Sequence, residues 1–325
     1  MARYLVTGAA GFIGSRTAEI LLETGHEVVG VDNLNDAYDV RVKEHRLERL
    51  QGRSGFRFER LDIADRAAIA AAAFRDEAFD GVINLAARAG VRASVENPWV
   101  YVDTNVTGTL NLLEFCRSRG ISKFVLASTS SIYGVGSPIP YREDQDTSRP
   151  ISPYAASKQG AEALCHTFHF LHGVDVTVLR YFTVYGPAGR PDMSVFRFIQ
   201  RIREGGPIHV YGDGSMSRDF TYVDDIARGT VAALAPLGYE AINLGGNRPH
   251  EVRELIRLVE KRLGRTAEIE FEEAHPADVR ATWADIGKAE TLLGWSPQVS
   301  LEEGISRTAE WYEAERHWAK EIAVY

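Results

Sequence analysis

Short apolar runs alternate with amphipathic stretches through the first half of the chain, and the alternation predicts its elements. Arg3–Thr7 reads as a strand, Phe12–Thr24 as a helix stopped near Gly25, and His26–Val31 as a second strand. A charged stretch, Asp36–Arg53, reads as a surface helix inserted before strand three, Phe56–Leu61. Ala67–Arg75 follows as a helix and Asp80–Leu85 as strand four. A long helix is expected between the Asn97-Pro98 start signal and the Gly120 stop, then a strand over Lys123–Ala127. Ser152-Pro153 opens another helix, closed by Gly173 and followed by a strand at Val174–Leu179. Strands joined by helices in this way predict a Rossmann-type, doubly wound parallel α/β sheet with right-handed crossovers.

After Tyr181 glycine and proline punctuate the pattern, at Pro187, Gly189, Pro191, Gly205, Gly206, Pro207, Gly212 and Gly214. Val223–Leu234 then reads as a helix and Ala241–Leu244 as a seventh strand. Helices at Glu251–Leu263 and Leu301–His317 and a strand at Ala267–Phe271 complete the chain. The expected organisation is a nucleotide-binding domain over 1–181, to which 222–248 returns. A smaller, discontinuous C-terminal α/β substrate domain is expected over 182–325.

Composition narrows the function classes. The chain has 325 residues and a formal net charge of −8, with no basic stripe, so a nucleic-acid partner is not expected. No apolar stretch approaches the length that spans a membrane, and none is expected to. Cys116 and Cys165 are the only cysteines and form no Cys-x-x-Cys pair, which argues against a zinc site or disulfide framework. With Met1 leading straight into a strand-like run, the expectation is a reducing, cytoplasmic setting. His166, His169 and His172 recur at a spacing that spreads them around nearly two helical turns. A solvated or interface face is expected there, and no metal.

The first chemical signal follows the first strand. Gly8, Gly11 and Gly14 give G-x-x-G-x-x-G, with Phe12 and Ile13 between the last two. Glycines at such a strand-to-helix turn let backbone N–H groups approach a pyrophosphate. Asp32 ends the next strand, 18 residues after Gly14, where a carboxylate grips an adenosine ribose and repels a 2′-phosphate. The cofactor expected is therefore NAD rather than NADP. Asn33 next to it, Asp62-Ile63 after strand three, and Leu85-Ala86-Ala87 after strand four lie where sheet termini meet a dinucleotide.

The second signal is Tyr154 and Lys158, four residues apart on one helix face. A nearby cation lowers a tyrosine's pKa and favours a phenolate able to take a proton from an alcohol. The preceding strand ends in Ser128-Thr129-Ser130-Ser131, whose hydroxyls can bond the same oxygen.

With these residues in place the chain resembles the extended short-chain dehydrogenase/reductase superfamily, and within it the uronate branch of the nucleotide-sugar 4-epimerases. The resemblance runs nearly end to end, through TGAAGFIG (7–14), the segment from Asp32 to Leu50, NLAARAGVRASVENP (84–98), ASTSSIYG (127–134), SPYAASK (152–158), LRYFTVYGPAGRPDM (179–193), YGDGSMSRDFTYVDDI (211–226) and DVRATWAD (278–285). It implies an NAD-dependent isomerase that converts UDP-glucuronate to UDP-galacturonate through a 4-keto sugar. It implies that Thr129 bonds the oxygen on carbon 4, that Tyr154 is base and then acid, and that Lys158 holds the nicotinamide ribose. Asn105 would support the cofactor. Tyr181 and Thr183 would line the sugar pocket, with Arg190, Ser130 and Arg92 at the carboxylate. Arg218, Asp278 and Tyr211 would hold the nucleotide. It also implies a homodimer, paired through helices 98–119 and 153–172.

A guanidinium forks onto carboxylate or phosphate, which suits Arg92, Arg190 and Arg218 to anionic ligands; a structural ion pair is the other reading of each. Ser130 and Ser131 stand where water-eliminating or decarboxylating relatives carry an acid, which argues for an epimerase. The alternatives are a 4-epimerase of neutral UDP-sugars, a UDP-glucuronate decarboxylase, and an NAD-binding sensor without turnover. The intact Tyr154 and Lys158 speak against the last.

Overall fold

The computed structural model describes residues 1–273 and 278–324. Its first six strands are β1 Arg3–Thr7, β2 Glu27–Asp32, β3 Phe56–Arg60, β4 Gly81–Asn84, β5 Lys123–Thr129 and β6 Asp175–Tyr181. Then come β7 Thr183–Tyr185, β8 Ile208–Tyr211, β9 Ser217–Tyr222, β10 Tyr239–Leu244, β11 Pro249–Glu251 and β12 Ile269–Glu272. One sheet has the order β10-β6-β5-β4-β1-β2-β3, and every neighbouring pair is parallel. Winding reverses between β1 and β4, so the loops beyond them diverge and leave a crevice at the carboxyl edge.

Neighbouring residues on each strand bury on opposite faces. Leu5, Val29, Val82 and Phe124 feed one core, while Val6, Val28, Ile83 and Val125 feed the other. A sheet covered on both faces explains why these strands read as nearly continuous apolar runs. A third core joins helices Ser194–Glu204, Val252–Leu263 and Leu301–Ala319 to strands β8 and β9, through Phe198, Ile202, Val210, Phe220, Leu255 and Ile305. Beside it lie a three-stranded sheet, β11-β9-β7, and a β12-β8 pair.

Four expectations change. The Asp36–Arg53 stretch is a helix only over Val40–Leu50, capped by the Asp39 carboxylate, and it is not simply a surface element: Val42, Lys43, Arg46, Leu47 and Leu50 are buried. The helix expected over Ala67–Arg75 runs Arg66–Ala71, because Ala72 turns to an extended ψ of 143° and sends Phe74 into the core. The long helix after Pro98 is divided into Trp99–Tyr101, a π turn at Val102–Thr107, and Gly108–Arg119. Gly108 resumes the α-helix against Ile63, where an added Cβ would sit 2.7 Å from the isoleucine side chain. Finally, the punctuated region after Tyr181 contains the regular helix Ser194–Glu204, which buries Val195, Phe198, Ile199 and Ile202 at helical spacing. Among the described residues no helix is long and apolar enough to cross a membrane.

Candidate active site

The strands end where the chemistry begins. Thr7, Asp32, Asn84, Thr129 and Tyr181 are the last residues of β1, β2, β4, β5 and β6. Gly8, directly after β1, lies at φ +70°, and a Cβ there would come within 2.7 Å of the Ala86 nitrogen. A Cβ on Gly14 would stand 2.0 Å from the Gly8 carbonyl oxygen, so any larger residue would push the turn apart. Helix Phe12–Glu23 starts at Gly11 with no capping side chain, which leaves its first-turn N–H groups to a ligand. Asp32 is buried; its Oδ1 accepts from the Leu34 N–H at 2.8 Å and lies 3.6 Å from Lys43 Nζ. The Asn33 amide donates to Asp62 at 2.9 Å and closes the edge of the crevice.

One cavity of about 350 Å³ runs from this turn to the reacting groups. Every cofactor residue expected from the sequence lines it except Asn105. Thr129, Ser130, Thr183 and Arg190 join them. Asn105 sits behind the wall, on the π turn. Its amide donates to the Arg88 carbonyl at 3.0 Å and Ser157 Oγ at 2.9 Å, and its oxygen accepts from the Arg88 N–H at 2.9 Å. With these three bonds it fixes the loop after β4 to the helix that carries Tyr154. Tyr181 lines the cavity, and its hydroxyl pairs with Thr230 Oγ1 at 2.7 Å.

Helix Pro153–His172 begins with the Ser152 hydroxyl accepting from the Ala155 N–H at 3.2 Å and Pro153 in its first turn. This start places Tyr154 at the cavity. Burial raises the Tyr154 pKa above the ordinary tyrosine value; a hydrogen bond with Thr129 and the charge of Arg190 pull it back. The cation that acts on Tyr154 here is Arg190 rather than the expected Lys158, whose Nζ donates to the Ala127 carbonyl at 2.8 Å. Burial brings Lys158 down to about 8, opposed by the charge of Glu162 one turn later. Glu162 is itself buried, accepting from Ser128 Oγ and from Arg180 at 2.9 Å.

The other four expected substrate residues gather outside that cavity. Arg92 pairs with Asp278 at 2.5 Å and lies flat on the Tyr211 ring, 3.5 Å from its centre. Burial lowers the pKa of Arg218, and the nearby Asp278 charge opposes the fall. The sequence reading missed Arg197, whose pKa burial also lowers, with Tyr211 opposing and Arg92 adding to the fall. Arg92 and Arg218 thus face Asp278, while Arg197 stands beside Arg92 and Tyr211, within reach of the charges of Glu272 and Asp192. Missed too were Asn35, Tyr38 and Lys43, which line the cavity from the segment taken for a surface helix. Their signal was the apolar spacing Val42, Leu47 and Leu50, which turns Lys43 and Arg46 inward with it. Of the three histidines of helix Pro153–His172, His166 and His169 both meet the Tyr239 ring, His169 Nδ1 also lies 2.9 Å from the Val174 carbonyl, and His172 meets Phe168.

Residues 4–245 match the NAD dependent epimerase/dehydratase family. The chain belongs to that family. It is 56% identical to a UDP-glucuronate 4-epimerase of Thermodesulfobacterium geofontis over 325 residues, the whole of both chains. It is 39% identical to the UDP-glucuronic acid 4-epimerase of Bacillus cereus solved with UDP-glucuronic acid and NAD, with a TM-score of 0.89 over 96% of this chain and 99% of that one. A UDP-glucose 4-epimerase of Thermotoga maritima, solved with UDP-glucose, matches with a TM-score of 0.89 at 35% identity over 97% of this chain and 99% of that one. A charged-sugar and a neutral-sugar member of the family thus resemble this backbone equally, and side chains must separate the two. The residues fit NAD: the glycine turn admits no Cβ, first-turn N–H groups suit its pyrophosphate, and Asp32 suits a ribose diol.

Proposed function

We propose that this protein interconverts UDP-glucuronate and UDP-galacturonate by inverting carbon 4 of the sugar, with NAD as a recycled cofactor. The observation that carries the reading is Arg190. It lines the same cavity as Tyr154, and its charge reaches the tyrosine hydroxyl. A guanidinium in the cavity wall beside the reacting group matches a sugar carboxylate and has no matching group on a neutral hexose.

The glycine turn, Asp32 and Lys158 would hold NAD, which supplies a hydride acceptor and donor at carbon 4. Tyr154 takes the hydroxyl proton as the alcohol is oxidised and returns it after the sugar has turned over. Thr129 Oγ1 accepts from the Ser131 N–H at 3.1 Å and lies 3.2 Å from Ser131 Oγ, which holds the hydroxyl within hydrogen-bond reach of Tyr154. Arg92, Arg218, Tyr211 and Asp278 anchor the nucleotide diphosphate and its ribose while the sugar swings. Residues 1–181 with 222–248 carry the cofactor in this reading, and 182–325 the nucleotide sugar.

A 4-keto uronate is a β-keto acid and loses carbon dioxide readily. Among the described residues lining the cavity, the carboxylates are Asp32 and Asp62, both at the β2–β3 end; none stands beside Tyr154 as an extra acid or base. This favours retention of the carboxyl group. Incubation with UDP-glucuronate, resolved by chromatography with mass detection, is expected to give a same-mass product that co-elutes with UDP-galacturonate. A product lighter by carbon dioxide overturns the reading.

The chain is also expected to pair with a second copy. Trp99 is 76% exposed, and Phe170 and Leu171 are 79% and 62% exposed, on the two helices that flank the site. Apolar side chains that open to water argue for a covered face.

A further inference from the structure

Arg46 is a buried cation whose hydrogen bonds, among the described residues, all go to neutral oxygens. Nε and Nη2 donate to the Ala188 carbonyl at 2.9 and 2.6 Å, and Nη1 donates to the Ala10 carbonyl at 3.3 Å and the Tyr38 hydroxyl at 2.6 Å. It is 2% exposed. A charge held that deeply by neutral groups disfavours folding unless the contacts it makes are worth keeping.

Those contacts converge on the loop that carries Arg190. Ala188 lies at φ +51°, a left-handed conformation that a residue with a Cβ rarely adopts. Two charge-assisted bonds to its carbonyl hold it there. Arg190 follows two residues later, and its guanidinium lies over the Tyr38 ring, 5.8 Å from the centre. Arg46 stands 5.4 Å from the same ring. Tyr38 is therefore a ring shared by two guanidinium groups: one locked into the backbone, the other in the cavity wall.

We propose that Arg46, through Tyr38 and the Ala188 carbonyl, is a positioning residue that sets Arg190 at the sugar carboxylate, so that segment 36–50 governs the preference for a charged sugar. The proposal rests on the uronate reading above. A role confined to holding the fold would affect charged and neutral ligands alike. A positioning role affects only the ligand that Arg190 touches.

The test is calorimetric binding of UDP-glucuronate and of UDP-glucose to the NAD-loaded wild type, Arg46→Met and Arg46→Lys, with a melting curve for each. Arg46→Met is expected to weaken UDP-glucuronate about 10–50-fold, as for a mis-set charged hydrogen bond, and to leave UDP-glucose within about twofold. Arg46→Lys should recover part of the loss, because it keeps the charge and a single donor nitrogen in place of the guanidinium fork. Equal losses on the two ligands, or none, overturn the proposal and leave the uronate reading standing. A wild type that binds both nucleotides equally overturns both together. If Arg46→Met does not fold, Tyr38→Leu removes the shared ring while Arg46 keeps its bonds to the Ala188 and Ala10 carbonyls, and the same selective loss is expected.

Discussion

Arg190 meets Asp192 in a two-point fork, Nε to Oδ1 at 3.0 Å and Nη2 to Oδ2 at 2.6 Å. The guanidinium is thus held in its donating geometry by a carboxylate of the chain itself. An incoming sugar carboxylate must share or displace that partner. Asp192→Asn removes the competing charge and should lower KM for UDP-glucuronate by about 3–10-fold, the worth of a part-exposed ion pair, with kcat little changed. A raised KM would mean instead that Asp192 is needed to aim the arginine.

Arg190→Ala should cut kcat/KM for UDP-glucuronate by about 100-fold or more, since two charged hydrogen bonds are lost. Binding of UDP-glucose should hold within about threefold, because a neutral hexose offers Arg190 no anion. Steady-state kinetics with the first nucleotide and calorimetry with the second make the comparison. Equal damage to both would point to a structural arginine.

Tyr154→Phe keeps the ring and removes the proton carrier. Turnover should fall about 10²–10⁴-fold, as for loss of a general base, while bound UDP-glucuronate and NAD content stay near wild type. Residual activity above a tenth of wild type would assign the proton transfer elsewhere.

The Lys158 ammonium, brought down to about 8 by burial, should lose its proton as pH rises through that value, and kcat/KM should fall on the alkaline side with it. Glu162 opposes burial by stabilising the charged form, so Glu162→Gln lowers the lysine pKa further. The alkaline limb of the kcat/KM profile should therefore move to lower pH in Glu162→Gln, with the acid limb less affected. A limb that stays put would separate Lys158 from the titration.

Trp99→Glu combined with Phe170→Glu should turn a dimer into a monomer at micromolar concentration in sedimentation velocity, because each carboxylate would be buried without a partner. A wild type that sediments as one chain would remove the premise.

Much of this molecule is legible in its residues for plain reasons. A turn that admits only glycine, an acid at a strand end and a tyrosine four residues before a lysine are all fixed by spacing along one short segment. The parts that were not legible depend on partners far away in sequence. Lys43 and Arg46 look like surface charges until Ala188 and Asp32 are seen to be their partners. Arg197 acquires meaning only beside Tyr211 and Arg92. The π turn at Val102–Thr107 leaves no mark in the apolar spacing, yet it is what brings Asn105 against both Arg88 and Ser157. The helix Ser194–Glu204 was hidden by the glycines and prolines around it, although its own spacing is regular.

The helix Val40–Leu50 also leans on residues that come much later. Val42 packs with Phe196, Ile322 and Val324, and His45 meets Trp311 across 266 positions of chain. At roughly 5–20 residues per second, a ribosome needs roughly 13–53 s to reach from one to the other. Over that interval the nascent segment has its glycine turn but lacks the C-terminal residues that cover Val42 and His45. The cofactor half of the molecule is therefore made first and finished last.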